Sequence, residues 1–339
     1  MGDVDFTMLG MTGSGKTCFL TGMYYEMSSG IQGYTLSSDD DIDIELRNKW
    51  EKLCDEKNGV NRFPVGTDKT ERYKFTLEYA YESIKDFNWL DYPGGDLEKK
   101  STGNIDSYKE IEEAILKSTC LFICVDGALL CEKTKELMIE NVRNKCSSKI
   151  NGFLSKYQKN NNYLPPVSIV ITKYDMCRDV KGEVMEDVIK KAFSSLFPEN
   201  HDKHKLVTII PVSIGKNISD DDYSGRLEPI NIHVPLFWGI WFALKKDLMM
   251  YKQAEDKKKD EVTSDKNEIE RIKNKFIYFG KKKKLRLLEE SLKEKKSILE
   301  RIQSKIKKQT EYVDRIYTQL KDVDVYIGGD KLHMDNIEL

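Results

Sequence analysis

Gly10-Met11-Thr12-Gly13-Ser14-Gly15-Lys16-Thr17 follows the apolar run Phe6-Thr7-Met8-Leu9 and opens a helical pattern reaching about Ser28. The order of strand, glycine-rich turn and helix decides the reading. Three glycines let backbone N–H groups turn inward and approach a polyphosphate where a side chain would block contact. Lys16 has the length to reach β and γ phosphates, and the Thr17 hydroxyl is placed to ligate Mg²⁺. The helix starting at Lys16 points its positive end at the anion. Residues Gly10 to Cys18 are therefore expected to hold a nucleoside triphosphate.

With 339 residues there is room for one large domain and an extension, or for two domains. Apolar residues make up 39% and charged residues 33%, enough for a core beneath a charge-rich surface. The net charge of −2 hides a division: residues 1–240 hold 30 basic and 38 acidic side chains, residues 241–339 hold 25 and 19. That balance excludes a generally basic nucleic-acid binder but allows a local basic surface in the C-terminal part. The N-terminus lacks the pattern of a signal peptide, and no run of 18 apolar residues could span a bilayer. Met1-Gly2 resembles a myristoylation start, but position 6 is Phe6 rather than Ser or Thr. Seven cysteines are scattered without metal-ligand spacing, so reduced thiols and a cytoplasmic location are expected.

Strand and helix patterns alternate over residues 1–245, which predicts an α/β sheet domain. Residues 31–66 read as polar and irregular, with an amphipathic piece around Ile42–Leu53. Tyr73 to Tyr79 alternates with period two, and Ser83 to Asp91 follows closely enough to form an antiparallel hairpin with it. Cys120–Val125, Val167–Ile171 and Leu206–Ile210 are continuous apolar runs suited to parallel strands covered on both faces.

Beyond Pro235 the pattern becomes helical. Leu285, Leu292, Leu299, Ile306, Val313 and Leu320 occupy the a positions of a heptad, and Leu288, Lys295, Ile302, Gln309, Ile316 and Val323 the d positions. That repeat predicts a coiled coil roughly 60 Å long. An earlier 3-4 spacing through Trp241, Leu248, Val262, Ile269 and Phe276 supplies the opposing arm, so residues 246–325 read as an antiparallel helical hairpin with its tip near Gly280. Aromatics beside Lys281–Lys284 leave a membrane or nucleic-acid contact at the tip open. A tip whose aromatics close the last core layer, with the lysines in water, is favoured. Residues 326–339 carry no readable signal and read as a tail.

Three more motifs fall at the C-terminal ends of expected strands, where α/β folds place their ligands. In Asp91-Tyr92-Pro93-Gly94, the aspartate can hold Mg²⁺ through a water, and Gly94 can offer its N–H to a γ phosphate. In Thr172-Lys173-Tyr174-Asp175, the carboxylate can accept hydrogen bonds from N1 and N2 of guanine, a donor pair that adenine lacks. The stem of Lys173 can cover the base. Ser213-Ile214-Gly215 can present a backbone N–H to the guanine O6.

In these residues the chain resembles the Ras-like G domain of the translation-factor-related class of P-loop GTPases. Gly10–Thr17 matches that family's phosphate loop, Asp91 and Gly94 its DxxG, Thr172–Asp175 its [NT]KxD and, more loosely, Ser213–Gly215 its SAK. The resemblance implies a three-layer domain on a six-stranded mixed sheet whose second strand is antiparallel. It implies GTP or GDP and Mg²⁺ as ligands, hydrolysis of GTP to GDP, and two loops that sense the γ phosphate. A switch threonine completing the Mg²⁺ shell is implied between the first helix and second strand; Thr67 is the first choice and Thr70 the second. Lys16, Thr67 and Gly94 are then the residues at the reacting phosphate, and Thr17, Thr67 and Asp91 those at the metal.

Where Ras-like members carry a water-orienting glutamine after DxxG, this chain has Gly95 followed by Asp96. Slow intrinsic turnover is expected unless another residue or a partner supplies the missing group. Asp96 is a candidate but reads better as an exposed loop carboxylate, and a protein partner or a second copy is expected to engage the coiled-coil arm. A nucleotide-gated interaction module with little turnover is the alternative, followed by a dynamin-like self-assembling GTPase and, on the base side, an ATPase.

Overall fold

The computed structural model describes residues 4–64, 70–95, 105–161, 164–198, 205–216, 225–274, 282–334 and 337. The chain divides into two compact units, one formed by residues 1–242 with 319–338 and the other by residues 243–318.

The first unit is built on a mixed sheet of nine strands: β1 (Asp5–Gly10), β2 (Tyr34–Ser38), β3 (Glu71–Tyr79), β4 (Glu82–Asp91), β5 (Cys120–Asp126), β6 (Val167–Thr172), β7 (Leu206–Pro211), β8 (Asp324–Ile327) and β9 (Asp330–His333). Their order across the sheet is β2-β3-β4-β1-β5-β6-β7-β8-β9. The five central strands β4, β1, β5, β6 and β7 run parallel. β2 to β3, β3 to β4, β7 to β8 and β8 to β9 are antiparallel.

The expected six strands are thus corrected to nine. β2 lies in the stretch read as irregular: only Tyr34 and Leu36 alternate inward there, too short a signal against polar neighbours. β9 and the second half of β8 come from the stretch read as a tail. Asp324 and Val325, like Leu320 and Val323, fall where the coiled coil is expected to continue, but the helix stops at Tyr317. β8 and β9 form a hairpin at Gly328 and Gly329, both at positive φ, that pairs onto the exposed edge of β7.

Apolar residues on both faces of the central strands require cover on both sides. On one face, helices Ile105–Lys117, Ser148–Asn161 and Gly182–Ala192 bury Ile111, Phe153, Val188 and their neighbours against Leu121, Ile123 and Ile169. The other face is aromatic: Phe6, Trp89 and Phe122 contact one another, with the Trp89 and Phe122 rings stacked 4.7 Å apart. The helix beginning at Val234 crosses these rings at Gly239. A Cβ there would lie 2.9 Å from Phe122, so only glycine allows so close an approach.

The second unit pairs the continuation of helix Val234–Lys273 with helix Lys282–Tyr317. Ile269 and Ile272 cluster with Leu285, flanked by Leu288 and Leu292. Lys295 Nζ lies 2.8 Å from Asp265 Oδ2, Gln303 donates to Glu255, and Gln309 donates to the Leu244 carbonyl. Partner numbers fall on one helix as they rise on the other, so the two run antiparallel. Both polar d residues, Lys295 and Gln309, have a partner on the facing helix. The expected tip at Gly280, with Lys281, lies outside the described residues.

Candidate nucleotide site

Five elements end at one cavity of about 470 Å³, a volume typical of small-molecule sites. Its floor is the turn between β1 and helix Lys16–Ser29. Gly13 (φ 74°) and Gly15 (φ 81°) hold the left-handed backbone that wraps this turn, a conformation costly for any residue with a Cβ. Thr12, Gly13, Ser14, Gly15, Lys16, Thr17 and Cys18 line the cavity. Gly10 and Met11 do not line it; their carbonyl oxygens accept hydrogen bonds from the buried Lys16 ammonium at 2.9 and 3.2 Å. That leaves the third ammonium donor of Lys16 for an anion. Burial pushes the Cys18 thiol up to about 12, so it is an inert wall rather than a nucleophile.

Asp91, at the end of β4, is fully buried, and its Oδ2 accepts from Thr17 Oγ1 at 3.3 Å. Its Oδ1 is also buried and has no hydrogen-bond partner among the described residues. Burial raises the carboxyl to about 6, against the pull of the Lys16 charge. A buried carboxylate with one orphaned oxygen beside a hydroxyl is an oxygen donor set that suits a hard divalent cation. Gly94 packs on the phosphate-binding turn: a Cβ there would sit 2.2 Å from the Thr12 nitrogen. Among the described residues, a Cβ added at Gly95 would meet Thr12 Oγ1 alone, at 4.0 Å. Thr67 and Asp96 lie outside the described residues; Thr70 immediately precedes β3.

On the opposite side the cavity is lined by Thr172, Lys173, Asp175, Ser213 and Ile214, each expected from its motif. Thr172 Oγ1 lies 2.6 Å from the Ser14 carbonyl, tying β6 to the phosphate-binding turn. Lys173 takes a left-handed backbone (φ 51°) and pairs with Asp126 at 2.6 Å, which holds its stem along the cavity wall. Asp175 Oδ1 accepts from Ser213 Oγ at 2.7 Å. The Ser213 hydroxyl is in turn 3.1 Å from the Gly215 amide that donates to it.

The glycine-rich turn thus follows β1 in the parallel centre of a mixed sheet. No protein-family profile matches the sequence, and no curated protein matches it either. Among solved structures, the chain is similar to the bacterial selenocysteine-specific elongation factor EF-Sec, with 16% identity over 66% of this chain and 28% of that one (TM-score 0.30). It is also similar to the S. cerevisiae Ski7 GTPase-like domain bound to GTP, with 14% identity over 62% and 42% (TM-score 0.38). A third is the signal recognition particle receptor SRb-GTP/SRX complex from Chaetomium thermophilum, with 14% identity over 63% and 91% (TM-score 0.37). The chain spans less than half the length of the first two.

Sequence reasoning missed the apolar wall of the cavity, which includes Phe19, Phe63, Pro64, Ala128, Met176 and Val212. These residues come from separate elements and share no motif. Asp126 was the legible omission: an acid ending a buried central strand is a signal in its own right. Among the described residues no cluster of His, Cys, Asp and Glu forms a metal site of its own, and no helix is long and apolar enough to cross a membrane.

Proposed function

We propose that the first unit is the G domain of a P-loop GTPase that binds GTP and GDP and hydrolyses GTP to GDP and phosphate. The observation carrying this reading is that Lys16, Thr17 and Asp175 line one cavity, with the buried Asp91 carboxylate hydrogen-bonded to Thr17. A cation donor, a metal-suited oxygen pair and a base-reading carboxylate are thereby set at its two ends. Gly13 to Thr17 wrap the β and γ phosphates with backbone N–H groups, and Lys16 turns its remaining donor to them. Thr17 and Asp91 would hold Mg²⁺, which would supply positive charge to offset that developing on the phosphate oxygens. Asp175, aimed by Ser213, accepts from guanine N1 and N2, while Lys173, steadied by Asp126, covers the base. Thr67 completes the metal shell, with Thr70 the alternative.

Gly95 has no side chain to orient an attacking water, which favours slow turnover by the isolated chain. For the same reason a nucleotide-gated binding module is the second reading. The antiparallel helices of the second unit, with their heptad pattern, read as a coiled-coil arm that engages a protein partner or a second copy. Calorimetric titration with GDP, a non-hydrolysable GTP analogue, ADP and an ATP analogue tests the site. Binding of guanine nucleotides alone supports it, and preference for adenine overturns it. Phosphate release over many turnovers then separates an enzyme from a module.

A further inference from the structure

Arg62 is 1% exposed, a fully buried guanidinium at the end of the short helix Glu56–Arg62. Its Nε donates to the Leu53 carbonyl at 2.6 Å, in the last turn of helix Asp40–Cys54. Its Nη1 donates to the Gly225 carbonyl at 3.2 Å. The two carbonyls belong to segments far apart in sequence, and each segment leads to the cavity. Directly after Arg62, Phe63 and Pro64 form part of the cavity wall on the way to the expected switch threonine. Beyond Gly225, the Arg226 carbonyl accepts from the Lys216 amide, and Ile230 exchanges both backbone hydrogen bonds with Ser213. Residues 225–230 therefore brace the loop that aims Asp175.

Burying a guanidinium is costly, and an apolar side chain would fill the same space without that cost. What an apolar side chain cannot do is join two converging carbonyls in a fixed geometry, and the planar fork of arginine can. We propose that Arg62 is a positioning residue that clasps the Phe63–Pro64 wall to the base-side loop and so sets how long nucleotide is retained. The proposal rests on the guanine-nucleotide reading of the cavity.

The test is release of a fluorescent GDP from the full chain, followed by stopped flow for wild type, Arg62→Met, Arg62→Lys and a core control, Val188→Ala. Val188 lies in the core on the opposite face of the sheet from the aromatic cluster. Arg62→Met is expected to speed release by about tenfold or more, the scale of losing charge-assisted hydrogen bonds. Arg62→Lys, with one ammonium for two carbonyls, is expected to speed it less. Val188→Ala is expected to lower the melting temperature and leave release within about twofold of wild type. Wild-type release rates in both Arg62 variants overturn the clasp, as does equal acceleration in Val188→Ala at a matched melting temperature. If Arg62→Met fails to fold, Arg62→Lys carries the test alone: faster release supports the clasp, and unchanged release overturns it. A wild-type chain that holds no guanine nucleotide overturns the underlying reading of the cavity.

Discussion

Thr172 Oγ1 lies 2.6 Å from the carbonyl oxygen of Ser14. The end of β6, which lines the cavity, is thus joined to the glycine-rich turn, although 158 positions separate the two residues. The same hydroxyl is 3.1 Å from the Val125 carbonyl, so it sits where β5, β6 and the phosphate-binding turn meet. Replacing it with the isosteric valine removes the donor and keeps the volume. Thr172→Val is expected to cost about 1 kcal/mol of stability and to weaken GDP binding about fivefold or more. Thermal melts and calorimetry on the same preparation measure both.

Under the proposed guanine reading, Asp175 selects the base. Its carboxylate lines the cavity and accepts from Ser213 Oγ at 2.7 Å. Asp175→Asn replaces one acceptor oxygen with a donor facing the guanine N–H groups. The expected result is loss of guanine affinity by about a hundredfold or more, with the fold intact by circular dichroism. A variant with wild-type preference for GDP over ADP would remove the basis for assigning guanine.

Neighbouring glycines have opposite tolerances. At Gly94 a Cβ would lie 2.2 Å from Thr12 N and 2.5 Å from the Met11 carbonyl carbon, both rigid backbone atoms. Gly94→Ala is expected to displace the phosphate-binding turn and lower nucleotide affinity about tenfold or more. At Gly95, among the described residues, a Cβ would meet Thr12 Oγ1 alone, at 4.0 Å, so the backbone tolerates a Cβ there. Gly95→Gln is expected to speed single-turnover GTP hydrolysis about tenfold or more by supplying a water-orienting amide. A rate unchanged by that substitution would show that the missing side chain is not what limits turnover.

In the second unit, hydrogen bonds from Lys295 and Ser291 hold the Asp265 carboxyl below the usual carboxylate range. A carboxyl lowered in the folded state contributes stability above its unfolded value, and that contribution fades as pH falls through the folded value. The helix pair is therefore expected to lose stability as pH drops below about 4. Lys295→Met should flatten that dependence, and a double-mutant cycle with Asp265→Asn should give a coupling of about 1 kcal/mol. Melting curves between neutral and acid pH check the slope.

Local sequence determined the phosphate-binding turn, the β3–β4 hairpin, the central strands and the helix pair, because each rests on contacts within one turn, one strand or one heptad. Gly13 and Gly15 declare their backbone by lacking a Cβ, and Asp91 and Asp175 are marked by standing at strand ends. Tertiary structure alone decided that residues 324–333 return to extend the sheet beside β7, since their short strands acquire hydrogen-bond partners only at that edge. It likewise decided that Phe63 and Met176 share a wall with Ile214 and that Arg62 joins two distant carbonyls. Those relationships lie between segments remote in sequence, and no periodicity or motif records them. The glycine-rich turn is written along the chain; the hydrogen bonds by which Arg62 joins Leu53 to Gly225 exist only once the chain has folded.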